Sequence, residues 1–172
     1  EARLCSFLLF QPKTAQWNHA LLEQKGFEKS SEEICMTLEH EDFEFETGSL
    51  EAILKLYENN FEIRVATNQK CINLRLISAE GIDQINNFWI QKVKEKGGDI
   101  LYVGVCPHRD EENCNCRKPE TGLLVDAEKK LNINLKGSYF VGDKLSDLEC
   151  AISHGCKPIF CLLYTSDAAD DP

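Results

Sequence analysis

The chain has 172 residues, a formal charge of −10 at pH 7 and nine cysteines. That length suits one domain with a true core, and the acidic balance with scattered basic residues argues against nucleic acid as a partner. No apolar run approaches the roughly 18 residues a membrane span needs, and Arg3–Phe10 is too short and poorly flanked for a signal peptide.

In chain order, Phe7-Leu8-Leu9-Phe10 is the first strand candidate, and Ala15 to Lys25 reads as a helix. Leu50, Ile53, Leu54 and Tyr57 then fall on one helical face. Phe61–Thr67 is a strand. Ser78 can cap a long helix striped by Ile82, Ile85, Phe88, Trp89 and Val93. Ile100–Val105 is the next strand. A helix carrying Leu123, Leu124, Ala127 and Leu131 follows Pro119, which suits an early helical position. Ser138–Val141, a short helix with Leu148, Ala151 and Ile152, and a strand over Pro158–Leu163 complete the series. Strand and helix in alternation predict a parallel sheet covered on both faces, with any ligand off the carboxyl ends of the strands. Thr67, Cys106 and Asp143 each follow a strand, so all three should meet on that edge.

Two clusters carry chemistry. Cys106, His108, Cys114 and Cys116 lie within eleven residues and form a Cys₃His set suited to structural zinc. A disulfide pair or chance clustering are the plainer alternatives. Four protein ligands would close the site, making it structural rather than catalytic, and Arg117-Lys118-Pro119 follows at once. The second cluster is Gly142-Asp143-Lys144-Leu145-Ser146-Asp147, two carboxylates just past a buried strand. Taken singly, Thr67-Asn68 could be a turn, Asp143 a helix cap and Lys118 a solvated charge. With four cysteines on a metal, the remaining thiols outnumber what an oxidising compartment usually tolerates, so a reducing cytoplasm is expected.

From about Phe43 to Phe160 the chain resembles the haloacid-dehalogenase (HAD) superfamily of phosphatases. More narrowly, it is similar to the D-glycero-D-manno-heptose 1,7-bisphosphate 7-phosphatases and the related histidinol-phosphatases. The matching pieces are Phe43-Glu44-Phe45, Thr67-Asn68-Gln69, the Cys-x-His…Cys-x-Cys loop, Arg117-Lys118-Pro119 and Gly142-Asp143-x-x-x-Asp147. The resemblance implies an α/β, Rossmann-like three-layer fold with a central parallel sheet and a zinc-binding loop. It implies a Mg²⁺-dependent phosphomonoesterase acting through a phospho-aspartyl step on a small sugar phosphate, in surface-polysaccharide precursor synthesis. In that scheme Thr67 and Lys118 are catalytic, and Asn68 and Arg117 bind substrate. Asp143 and Asp147 serve Mg²⁺, and the four Cys/His donors serve Zn²⁺. No nucleic acid or membrane is involved, and the chain is expected to be a monomer. The alternatives are a histidinol-phosphatase or a noncatalytic sugar-phosphate-binding relative.

The chain departs from the family at its start. The family's nucleophile motif is Asp-x-Asp-Gly, and no Asp-x-Asp precedes Asp143. Glu23 stands at the matching spacing for the nucleophile and Lys25 for the acid/base. Residues 1–163 are expected to form one phosphatase-like domain with a divergent start over 1–42, and 164–172 reads as a non-native tail.

Overall fold

A computed structural model describes the backbone of Arg3–Phe7, together with Phe45 and residues 48–161. Within it lie five strands: β1 (Arg3–Phe7), β2 (Phe61–Asn68), β3 (Tyr102–Cys106), β4 (Tyr139–Gly142) and β5 (Lys157–Phe160). Four α-helices alternate with them: α1 (Ser49–Glu58), α2 (Ala79–Glu95), α3 (Gly122–Leu131) and α4 (Leu145–His154). A short 3₁₀ turn at Asp110–Glu112 lies in the loop after β3.

All strands pair in parallel, in the order β3-β2-β1-β4-β5. Parallel strands demand crossovers, and each one here carries a helix or, between β1 and β2, α1 with the chain before it. Apolar packing on one face of the sheet gathers Ile53, Ile63, Val65, Ile82, Ile85, Trp89, Val93 and Val141. The other face gathers Ala66, Cys106, Leu123, Leu124, Ala127, Phe140, Cys150 and Ala151. Successive β2 residues therefore feed opposite cores, as the two-residue strand period requires. This is the α/β three-layer arrangement expected from the alternation.

The helices form where the apolar spacing placed them. In α2, the side chain of Ser78 accepts the Gly81 N–H at 3.0 Å, and Ile82, Ile85, Trp89 and Val93 are buried below it.

Four expectations need correction. The first strand is Arg3–Phe7 rather than Phe7–Phe10; the Leu8–Phe10 part of that expectation lies outside the described residues. Tyr57 is exposed, and Leu56 packs on the core from α1 instead. Pro119 stands three residues ahead of α3, whose first residue is Gly122. In α4, Ile152 is 65% exposed, whereas Asp147, Cys150 and Ala151 face inward. A carboxylate occupies a core position there because it meets a buried cation, and that contact sets which face of α4 turns in. The expected helix over Ala15–Lys25, the positions of Glu23 and Lys25, and the 164–172 tail lie outside the described residues.

Candidate active site

With β1 in the middle, the chain runs to one side through β2 and β3 and then to the other through β4 and β5. That reversal opens a crevice beside β1 at the carboxyl ends of the strands, where open α/β sheets bind ligands. Phe7 is level with Val65 on one side and Val141 on the other. Thr67 and Asp143 each lie two residues farther along, so they flank the point where the chain leaves β1. Cys106 ends β3 opposite Asn68. The three expected strand ends do share one edge.

Thr67 is buried, and its Oγ1 accepts a hydrogen bond from Gln69 Nε2 at 3.1 Å. With that lone pair engaged, the Thr67 hydroxyl is free to donate its own hydrogen to an anion. Gln69 was quoted in the motif without a role; two residues past Thr67 beyond a strand end was the available signal.

Lys118 is the only cation among the described residues, besides Arg64, that is buried. Its Nζ donates to Ala66 O at 2.7 Å and lies 2.9 Å from Asp147 Oδ1. That second approach is an ion pair without hydrogen-bond geometry, since Oδ1 has no hydrogen-bond partner. Burial pulls the Lys118 pKa below its ordinary value, and the facing Asp147 charge opposes the fall. The other Asp147 oxygen accepts the Lys144 N–H at 3.2 Å, capping α4. Gly142 makes the fit possible, because a Cβ there would stand 2.3 Å from Asp147 Cβ.

Asn68 does not reach outward. Its Nδ2 donates to Lys118 O and its Oδ1 accepts the Lys118 N–H, both at 3.1 Å. Arg117 turns toward the Cys/His loop: Nε donates to Asp110 Oδ1 at 2.6 Å and Nη1 to His108 O at 3.0 Å. The same guanidinium holds the Asp110 carboxyl below the usual carboxylate range.

Asp143 is half-buried at the end of β4, and no hydrogen bond or ion pair engages it among the described residues. A partnerless carboxylate at this edge is the hard oxygen donor Mg²⁺ takes. Asp147, by contrast, has both oxygens committed to Lys118 and the α4 cap. Asp147 thus backs Lys118 from α4, while Asp143 stands half-buried just past β4.

The Cys/His loop converges as a cluster whose four donor atoms lie within 4.8 Å of one another. Cys106 Sγ stands 3.6 Å from His108 Nδ1, 3.7 Å from Cys114 Sγ and 3.2 Å from Cys116 Sγ. Cys114 and Cys116 are 3.4 Å apart, and His108 Nδ1 is 3.2 Å from Cys116. Ligands at about 2.3 Å from a tetrahedral ion stand about 3.8 Å apart, so the cluster is sized for zinc and far too open for disulfides. These three cysteines, and Cys71, Cys150, Cys156 and Cys161, are free thiols. Burial opposes ionisation of Cys114, yet the Arg117 and Cys116 backbone N–H groups and the neighbouring thiols bring its pKa down to about 7. Burial, with the two neighbouring thiols adding to it, pushes Cys116 up to about 12.

Two contacts tie this loop down, one at the end of β2 and one at the start of α3. Gln69 N–H donates to Cys106 O at 2.7 Å, and Gly122 N–H donates to Asn115 O at 2.9 Å. A Cβ at Gly122 would stand 2.3 Å from Asn115 O, so only glycine lets α3 start this close to the loop.

A family described as HAD-hydrolase-like matches residues 115–170. The D-glycero-alpha-D-manno-heptose-1,7-bisphosphate 7-phosphatase of Photorhabdus laumondii subsp. laumondii is 32% identical over 139 residues, 77% of this chain and 75% of that protein. The chain belongs to this phosphatase family of HAD-like hydrolases. The D-glycero-beta-D-manno-heptose-1,7-bisphosphate 7-phosphatase of Neisseria meningitidis serogroup A is 33% identical over 115 residues, 67% of this chain. The chain spans 62% of the length of that Neisseria relative. In three dimensions it is similar to the D,D-heptose 1,7-bisphosphate phosphatase of B. bronchiseptica complexed with magnesium and phosphate. The TM-score is 0.70 at 24% identity, covering 91% of this chain and 78% of that one. At that identity the likeness shows a shared fold.

Proposed function

We propose that the chain is a Mg²⁺-dependent phosphomonoesterase whose substrate is a heptose 1,7-bisphosphate, cleaved at the 7-phosphate. The observation that supports this reading is that Thr67 and Asp143 each follow a residue paired with the end of β1, while Lys118 Nζ is held on Ala66 O, next to Thr67. A phosphoryl group needs a hydroxyl donor, a fixed cation and a metal carboxylate at one place. Thr67 donates to a phosphoryl oxygen. Lys118 supplies a positive charge held in low dielectric, where it acts more strongly than in water. Asp143 would hold Mg²⁺, which when bound neutralises phosphoryl oxygens. Arg117, with its Nη2 unengaged among the described residues, orients the substrate from the loop side. The relatives' names favour heptose bisphosphate over histidinol phosphate.

The Cys₃His loop binds structural Zn²⁺ through Cys106, His108, Cys114 and Cys116. Such sites supply about 10–16 kcal/mol in small zinc peptides, enough to order an irregular loop. Seven free thiols support a cytoplasmic setting, and no described helix is long and apolar enough to cross a membrane. A monomeric state is part of the same reading, and light scattering checks it.

One observation favours a second reading, a noncatalytic sugar-phosphate binder. Residues 8–22, which follow the central strand, contain no Asp or Glu, and the next carboxylate is Glu23. Phosphate release from heptose 1,7-bisphosphate with Mg²⁺, in the wild type and in Asp143→Ala, separates the readings. Release that vanishes in the variant supports the enzyme and makes Glu23 the first candidate nucleophile. Absent release with phosphate-dependent thermal stabilisation supports the binder. Absence of both overturns the site.

A further inference from the structure

We infer that the Asn68 side chain is a positioning group that anchors Lys118 to the end of β2, and that this side chain is not a ligand of the substrate. The inference deepens the phosphate-site reading given above, on which it rests. The backbone of a residue offers one donor and one acceptor, and where it is buried both must find partners. The Lys118 backbone finds both on a single side chain fifty residues away: its N–H donates to Asn68 Oδ1 and its C=O accepts from Asn68 Nδ2. The pairing copies a rung of sheet beyond the last residue of β2. Only a side-chain amide of this length supplies a donor and an acceptor side by side; Asp lacks the donor and Ala lacks both. Pro119 follows and brings no N–H of its own, so the Lys118 peptide is the last place for such a rung before the chain turns toward α3.

The rest of Lys118 lies along the same strand. Its Nζ ends on Ala66 O at 2.7 Å, two residues back from Asn68, or about 6.6 Å of strand rise. Asn68 therefore sets where the side chain starts, and Ala66 O and Asp147 set where the ammonium stops. On the other side, Arg117 N–H donates to Cys114 Sγ at 3.3 Å, so the residue before Lys118 is tied to the Cys/His loop. Asn68 is the link that makes an ordered loop and an ordered strand agree on one position for the ammonium. Both of its polar atoms are spent in doing so.

The test reads Lys118 directly. Full-length protein loaded with zinc is pulsed with an amine-acylating reagent, and modification of Lys118 is followed by mass spectrometry. Lys136 and Lys157 serve as internal references. Asn68→Ala should raise Lys118 labelling roughly tenfold to thirtyfold, the factor released when two hydrogen bonds no longer oppose local opening. Asn68→Asp, which keeps the acceptor, should fall between that and wild type. Ser78→Ala, a remote helix-cap loss, should leave Lys118 labelling unchanged and so separates positioning from general loosening. Binding of inorganic phosphate, followed by ³¹P NMR, should weaken in step with labelling across the Asn68 series. Weaker phosphate binding in Asn68→Ala with Lys118 labelled at the wild-type rate would make Asn68 a ligand and overturn the inference. Hydrogen exchange in the wild type needs no variant: the Lys118 amide should be protected, and free exchange also overturns it. A wild type that binds no phosphate sinks the phosphate-site reading, while the labelling and exchange results still decide the role of Asn68.

Discussion

Replacing Asp147 by Asn tests the electrostatic centre of the fold. Both side chains of the Lys118–Asp147 pair are at most 2% exposed and stand 2.9 Å apart. Asn has nearly the same volume and can still accept the Lys144 N–H, so the change removes the charge and little else. Leaving one buried partner uncompensated costs about 3–5 kcal/mol, a large share of the roughly 5–15 kcal/mol that holds a domain. At about 2–4 °C per kcal/mol for a chain this size, the melting temperature should fall by roughly 6–20 °C. The loss depends on pH in a definite direction. Burial holds the Lys118 pKa below 10.5, so the folded state binds fewer protons than the unfolded one across that interval. Its penalty is complete below the folded pKa and disappears as pH rises past 10.5. Removing Asp147 takes away the charge that raises the Lys118 pKa. The variant should therefore gain stability with rising pH over a window reaching farther below 10.5, and its deficit against wild type should shrink through that window. Urea denaturation at a series of pH values measures this. Adding Lys118→Met to the variant should recover stability, with a coupling of about 0.5–3 kcal/mol. A single variant within about 0.5 kcal/mol of wild type, with no coupling to Lys118→Met, would refute the reasoning.

Two further outcomes concern metal and packing. Cys114→Ser removes one of four donors and leaves three around a cluster built for a tetrahedron, so bound zinc measured by mass spectrometry and the melting temperature should both drop. Equal values in variant and wild type would remove the metal assignment. Gly142→Ala drives a Cβ into Asp147 at 2.3 Å, and because the obstacle is the root of a buried side chain, α4 must shift. Overpacking of this kind costs about 1–3 kcal/mol in denaturant melts, and a neutral result would mean that Asp147 does not pack against Gly142.

Much of the protein is legible along the chain because its causes are local. Apolar residues three and four apart specify α2 and its Ser78 cap, and dense β-branched and aromatic stretches specify β2 and β4. The Cys₃His cluster is equally local: its donors lie within eleven residues, so closing them on one point requires little from the remaining fold. The likeness to heptose-bisphosphatases could be seen in the same short motifs.

What the tertiary structure alone decided depends on contacts between distant residues. Asp147 reads as a partner of Asp143 at a metal, either as a ligand or behind one, and the tertiary structure adds what spacing does not show: α4 sets it 2.9 Å from Lys118, with Ile152 exposed. Asn68 reads as a substrate donor beside Thr67, but its amide closes on the Lys118 peptide fifty residues on. Sequence spacing states which groups a chain carries and on which side of a helix or strand they sit. A buried charge or amide takes whichever partner the packed elements bring within hydrogen-bond reach, and desolvation makes that choice strict. Sheet order settled the rest: by placing β1 between β2 and β4, it put Thr67 and Asp143 on either side of one crevice.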